Sequence, residues 1–511
     1  MFQNPLRKIS KIKTATLLAA AVSLLMIAAA ANPNADWTSA GQGRTNWSYQ
    51  PLEKTISNQN ASNLSVAWAN PGGDVSATPS VSEGVVYYPD FNGNLYAVDA
   101  TSGAVIWQDD LATISGITGA FSRTTPTIDG NVLYVGLQNQ GELLAISRNK
   151  GKLIWMSQLD DHVAAVITQS PADYNGVLFV GMSSQEEGYA ADPSYPCCSF
   201  RGSLSAVDKK TGTVLWKTYT APVGYSGNSV WGSTPVVDPS RKLVYITTGN
   251  NYTVPDGVNG TTNPLDPADY VDSILALDIR SGAVVWAAPH LGLMPASDTF
   301  TLACVTGGAS CTDPAGPDYD FGQGVMEVST TINGKSQDLV IAGQKSGKLW
   351  ALNADTGHVF WMYDSGVGSL LGGMEWGSAT DGNTVYFANA HGDFWGAVDI
   401  ATGQLKWETK DPNPLPTNTL FDSNDIGAVS VANGVVYVGS LGGGLGLTPT
   451  TSTMFALDAN TGEILWSFAS GSGVASSPAI VNGMVFWGTG YSRLGQGVGA
   501  GEHNFYAFSV K

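Results

Sequence analysis

The sequence predicts an all-β fold, an eight-bladed β-propeller of four-stranded blades, and three observations carry that expectation. The first is a recurring phrase: a strand ending in Ala-x-Asp or a close variant, a Thr-Gly or Ser-Gly turn, three residues, then Trp. It reads LYAVDATSGAVIW to Trp107, LLAISRNKGKLIW to Trp155, LSAVDKKTGTVLW to Trp216 and ILALDIRSGAVVW to Trp286. It continues as LWALNADTGHVFW to Trp361, GAVDIATGQLKW to Trp407 and MFALDANTGEILW to Trp466. The second is a pair of half-repeats: LSVAW, ending at Trp68, lacks its upstream half, and the final FYAFSVK lacks its downstream half. Joined in the last blade, they close the ring and leave no open sheet edge. The third is coverage, since the repeat runs from Trp68 to the last of 511 residues and leaves room for one large ring.

Each blade opens on a β-rich run: GVVYYPDF, NVLYVGLQ, GVLFVGMS, KLVYITTGN, DLVIAGQKS, TVYFANAH, GVVYVGSL and GMVFWGTG. Their bounding Gly, Asn and Asp are strand-and-turn punctuation. In the repeat the Asp-x-x-[ST]-Gly element supplies a turn residue and a Gly free to take positive φ. The periodic Trp reads as a wedge between neighbouring blades, not as a substrate contact.

Composition narrows the function. Gly is abundant at 61 and charged residues are scarce at 13%, as short strands and tight turns require. A formal net charge of −18 leaves no basic patch to neutralise phosphates, so nucleic acid is excluded as a partner. At about pH 2 most carboxylates would be neutral, and only 24 Lys and Arg plus 5 His would limit self-repulsion, a composition that permits life in acid. Residues 1–31 read as a cleaved signal peptide: Arg7, Lys8, Lys11 and Lys13 precede an apolar run from Leu17 to Ala31. The mature chain, 32–511, is therefore expected in the periplasm or outside the cell, where disulfides persist. Uneven Trp spacing marks insertions at 185–200, 251–271 and 288–318, with a smaller one at 441–452. The first three interrupt adjacent blades and are expected to cluster on one sector of the ring's face. Cys197 and Cys198 are neighbours, while Cys304 and Cys311 bracket VTGGAS; four cysteines allow three pairings, of which 197–198 with 304–311 is chosen.

With these features in place, the chain resembles the quinoprotein alcohol dehydrogenase superfamily, and within it the polyvinyl alcohol dehydrogenase type. The resemblance rests on ITQSP, GMSSQEEG, YPCCSFRGSLSAVD, VWGSTPVVD, TTGNNYTVP, GPDYDFG, AGQKSGKLWAL and LGGMEWG, which follow one another through the mature chain. It implies pyrroloquinoline quinone (PQQ) and Ca²⁺ on the axis of the propeller. A bonded Cys197–Cys198 ring would cover one face of the quinone and Trp231 the other. Thr168, Ser184 and Arg201 would hold its carboxylates and carbonyls, Lys345 would lie near its reactive carbonyl, and Trp376 would line the floor. Glu187, Asn250 and Asp320 would bind Ca²⁺, and Asp320 would act as general base, with Asp318 as the alternative for both tasks. These residue types suit the chemistry. Cationic and hydroxyl donors grip carboxylates, hard Ca²⁺ takes oxygen ligands, and a carboxylate can remove an alcohol proton. Taken singly, each residue also has a plain reading: Glu186 and Glu187 as a solvated loop pair, Lys345 as a turn lysine, Asp318 and Asp320 as turn flanks.

Three functions compete at this point. The first is a PQQ- and Ca²⁺-dependent alcohol dehydrogenase acting on a small or polymeric alcohol. Because the sequence holds no Cys-x-x-Cys-His, it would pass electrons to a separate acceptor such as a cytochrome c. The second is a tetrathionate hydrolase of an acidophilic sulfur oxidiser, a relative that needs no quinone, uses an Asp as general acid and tends to form homodimers. The third, a non-catalytic propeller scaffold, explains the adjacent cysteines and long insertions poorly.

Overall fold

A computed structural model describes residues 1, 35–260, 262–291, 298–366, 368–413, 423–443, 451–492 and 503–511. Apart from Met1, the leader read at 1–31 lies outside the described residues, as do parts of the insertions at 251–271, 288–318 and 441–452.

Among the described residues, eight blades of four antiparallel strands follow one another around a ring; blade 3 also carries the short strand Ala165–Val166, and Tyr49–Gln50 adds a parallel strand to blade 7. Blade 1 spans Ser80–Asp110, blade 2 Thr127–Gln158, blade 3 Ala172–Tyr219 and blade 4 Val236–Ala288. Blade 5 spans Met326–Asp364, blade 6 Ala379–Lys410 and blade 7 Ser430–Phe468. Blade 8 takes three strands from Ala479–Val510 and its fourth from Leu64–Pro71. That fourth strand pairs antiparallel with Asn504–Val510, Trp68 opposite Ala507, so the two half-repeats do close the ring. In five of the blades the first strand is wholly buried, as at Ser80–Ser82, in the other three it is buried at its start, as at Thr127–Asp129, and the fourth strand is the most exposed, as at Val105–Asp110. The first strands therefore face the axis and the Trp-bearing strands form the rim.

The repeated phrase is the seam between blades. Every Trp of the series lies opposite an alanine of its own blade, Trp107 by Ala97 and Trp216 by Ala206 among them, next to a register shift that bulges the strand. Its indole N–H then crosses to the next blade: Trp107 donates to Arg148 O, Trp216 to Ile279 O, Trp286 to Ala354 O and Trp407 to Ala459 O. Trp466 reaches blade 8 by donating to Leu64 O at 2.9 Å, and Trp68 completes the circuit by donating to Ala100 O of blade 1 at 2.9 Å. The turn glycine supplies the seat. At Gly282 (φ +71) an added Cβ would lie 2.5 Å from the Trp216 ring, so the position needs both the left-handed backbone and the missing side chain.

The three large insertions meet over blades 3 to 5. Leu302 N donates to Glu187 O, Asn251 N to Asp298 O and Phe300 N to Asn251 O. Cys197 is bonded to Cys198 and Cys304 to Cys311, the chosen pairing.

Candidate active site

Segments leading into the first strands, together with turns after the second strands, converge on the axis around a cavity of about 540 Å³. All eight blades contribute, from Phe91 in blade 1 to Tyr491 in blade 8. The volume falls within the range of about 300–1,000 Å³ usual for small-molecule sites.

Asp320 is the best-held acid of the wall. Its Oδ1 accepts from Asn250 N, its Oδ2 from Trp231 Nε1 at 3.1 Å, and its carbonyl accepts from Lys345 N at 2.9 Å. Gly249 makes this approach possible, since a Cβ there would stand 2.5 Å from Asp320 Oδ1. Lys345 Nζ lies 3.1 Å from both oxygens of Asp318 and 3.3 Å from Asp320 Oδ2, with the Trp231 ring 5.5 Å away. The loop carrying the two aspartates is fixed from behind by Asp298, whose carboxylate accepts from Asp318 N and Tyr319 N.

Several carboxyls thus share one lysine, and burial opposes their ionisation. Burial raises Glu187 to about 8, with Lys345 opposing and Asp320 and Asp298 adding to the rise. Burial likewise lifts Glu375 to about 7 and Asp298 to about 6. Asp318 is pushed well up by burial against the pull of Lys345. For Lys345, burial favours the neutral amine, but Asp318 and Asp320 outweigh it and hold the ammonium charged. A region so rich in buried carboxyls needs protons or a further cation to balance it.

Of the residues singled out in the sequence, Thr168, Ser184, Glu187, Trp231, Asp320, Lys345 and Trp376 line the cavity. The others stand apart from its lining. Of the two aspartates, Asp320 faces the cavity, whereas Asp318 is buried behind Lys345 and holds the lysine. Asn250 is buried alongside and gives its side-chain amide to Phe300 O at 2.9 Å. Arg201 is turned to Ala221 O, its guanidinium 4.1 Å from the Tyr219 ring centre. Cys197 and Cys198 lie on the loop after the lining residues Gln185 to Tyr189. The reading of Glu186 and Glu187 as a solvated pair does not hold. Glu186 is fully buried and accepts from Ser199 N and Phe200 N, fixing the loop that follows the cysteines, while Glu187 faces the cavity.

Sequence reading missed three members. Arg123 lines the cavity, donates to Tyr491 Oη and stands 5.8 Å from the Trp376 ring centre. Gln138 gives its amide to Ile167 O from the same wall. Glu375 Oε2 is buried there without a hydrogen-bond partner, as is Nε1 of the neighbouring, expected Trp376. An Arg placed where a blade begins, in FSRTTPTI, was the available signal for the first; for Glu375 it was the motif LGGMEWG, from which only Trp376 was taken.

A protein-family model described as outer membrane protein assembly factor BamB, built on PQQ-type repeats, matches residues 52–288, 200–453 and 422–509. The chain belongs to this propeller family. Its curated relatives set it with the quinoprotein alcohol dehydrogenases, as the motifs implied. Polyvinylalcohol dehydrogenase from Pseudomonas sp is 29% identical over 497 residues, covering 89% of this chain and 73% of that protein. Polyvinylalcohol dehydrogenase from Sphingopyxis sp. (strain 113P3) is 31% identical over 447 residues, 78% of this chain and 64% of that protein. Quinohemoprotein alcohol dehydrogenase from Comamonas testosteroni superposes with a TM-score of 0.70 at 19% identity, covering 97% of this chain and 84% of that one, a likeness of fold.

Proposed function

We propose that this propeller is a secreted or periplasmic alcohol dehydrogenase that uses PQQ and Ca²⁺ and delivers electrons to a separate acceptor. The observation that carries the reading is the meeting of Asp320, Lys345, Glu187 and Trp231 at one axial cavity. The relatives named as dehydrogenases support it.

The residues present fit the two groups. Trp231 and Trp376 offer flat faces, and Thr168, Ser184 and Arg123 offer donors suited to carboxylates. Arg123 takes the role first given to Arg201 because it faces the cavity. Glu187 and Asp320 offer hard oxygen ligands, and the surplus of buried carboxyls over Lys345 favours a divalent cation. The Cys197–Cys198 ring stands outside the lining and is given no contact. When bound, the quinone supplies the two-electron acceptor for alcohol oxidation.

The chain's own part is binding and proton transfer. Asp320 takes the alcohol proton on the carboxylate that Trp231 Nε1 and Asn250 N hold in place, and Lys345 stabilises its ionised form. Asp298 keeps the loop rigid, so the carboxylate is aimed before substrate arrives.

One observation favours tetrathionate hydrolysis as a second reading: carboxyls held protonated by burial, such as Glu187 and Glu375, suit acid catalysis. One experiment separates the two. Purified protein is mixed with PQQ and Ca²⁺, its absorption spectrum recorded, and turnover followed with an alcohol plus dye and with tetrathionate. A bound-quinone band and alcohol turnover that requires both additions are expected. Tetrathionate turnover without cofactor, and no such band, would overturn the dehydrogenase.

A further inference from the structure

A second group of acids, Asp411 and Asp425 buried and Asp393 half-buried, lies between blades 6 and 7. Asp393 sits in the turn between the second and third strands of blade 6, Asp411 directly follows its outermost strand, and Asp425 leads into blade 7. One carboxylate oxygen from each lies within 4.8 Å of one from each of the others. The surroundings brace the first two. Asn424 Nδ2 donates to Asp393 Oδ1 at 2.8 Å and to Asp411 Oδ2 at 2.9 Å, and Asp411 Oδ1 accepts from Asn413 N at 2.8 Å.

Asp425 is different. Its side chain is fully buried, neither carboxylate oxygen accepts a hydrogen bond from a donor group, and its polar neighbour is the Asp411 carboxylate, which it can meet only across a shared proton or a cation. A buried carboxylate in that state needs a proton or a cation. Lys410 is the nearby base, and its ammonium is given to Gly392 O at 3.1 Å, 4.7 Å from the Phe394 ring centre.

We infer that Asp393, Asp411 and Asp425 form a binding site for a hard divalent cation, Ca²⁺, separate from the axial cavity. Three carboxylates converging from a turn, a strand end and an inter-blade segment offer the all-oxygen, adaptable shell that Ca²⁺ takes, whereas Mg²⁺ demands stricter geometry. The site has a structural consequence. Ser423 and Ile426, which flank Asp425, line the axial cavity, so a cation bound here fixes that wall while touching no ligand in it.

The test is calorimetric titration of CaCl₂ into the chelator-treated full chain near neutral pH, on wild type, Asp393→Asn, Asp425→Asn and Glu187→Gln. Asp393 has φ +59, a conformation asparagine adopts readily, so its variant keeps the turn while losing the charge. The wild type should show a Ca²⁺ event that Glu187→Gln leaves in place. Both aspartate variants should weaken that event about tenfold or more. Their melting temperatures should also no longer respond to Ca²⁺ through this event. Isotherms of Asp393→Asn and Asp425→Asn that match wild type would overturn the site. So would Ca²⁺ binding in wild type that is absent, or that disappears with Glu187→Gln. A proton shared between Asp411 and Asp425 would show as a melting point raised by Asp425→Asn with no Ca²⁺ response in wild type, and that too would overturn it.

Discussion

Two populations of carboxyl group behave in opposite ways in this molecule. In the rim turns, Asp99 accepts from the Ser102 hydroxyl and from the N–H groups of Ser102 and Thr101, which hold its carboxyl below the usual range. Thr211 does the same for Asp208. Near the axis, burial drives Glu187, Glu375 and Asp298 upward and leaves them to share one ammonium. The difference is one of environment, since both regions use Asp and Glu. Where N–H and hydroxyl donors converge near solvent, the charge is welcome and closes a turn; where the fold removes water, it calls for a counter-ion or a proton. The net charge of −18 therefore joins a structural acidity at the rim to a chemical one at the axis.

The largest effect that tests this division is at Asp320. Asp320→Asn should lower kcat by roughly 10²–10⁴-fold on whichever substrate turns over, in protein that still folds, because the amide has the shape of the carboxylate and keeps an acceptor for one of its two donors, Asn250 N or Trp231 Nε1. Near-wild-type turnover would take Asp320 out of the chemistry and leave the axis a structural cluster like any other.

The rim should answer in the reverse sense. Gly282→Ala places a methyl group 2.5 Å from the Trp216 ring at a left-handed backbone position, and should cost about 1–3 kcal/mol of stability. Folded variant should retain wild-type kcat. A loss of kcat in protein that melts normally would show the seams to be coupled to the axis.

A smaller effect lies in pH dependence. Asp298 and Glu375 have folded-state pKa values of about 6 and about 7, above their ordinary values of 3.8 and 4.5. A group raised in this way contributes stability that is fully present below its unfolded pKa and lost as pH climbs through the folded one. The chelator-treated protein should accordingly melt at progressively lower temperature between about pH 4 and pH 7. Glu375→Gln should flatten the upper part of that fall and Asp99→Asn should not. A flat wild-type profile, or one altered equally by both variants, would dissolve the distinction between axis and rim.

The ring was legible because its information is local. Each Ala-x-Asp, turn Gly and Trp serves the seam next to it, and the seam recurs often enough to be recognised without a structure. Trp231 and Trp376 stood out for the complementary reason: they fall outside the periodic position, so packing between blades did not account for them. Arg123 and Glu375 carried no such mark, since a single Arg or Glu in a segment between strands resembles any other until the ring closes. The same holds for Asp393, Asp411 and Asp425, which come from three separate stretches of chain.

What the sequence by itself determined is the architecture, its closure by Leu64–Pro71, and the list of residue types able to bind and oxidise. The tertiary structure decided which of them meet. It turned Asp320 to the cavity and Asp318 to Lys345, Glu187 inward and Glu186 to the backbone of Ser199 and Phe200, and Arg201 away toward Tyr219. Neighbouring residues in a loop have no fixed period that assigns one inward and the next outward. Their directions are set by which donors the other blades bring within reach, and only the closed ring brings them there.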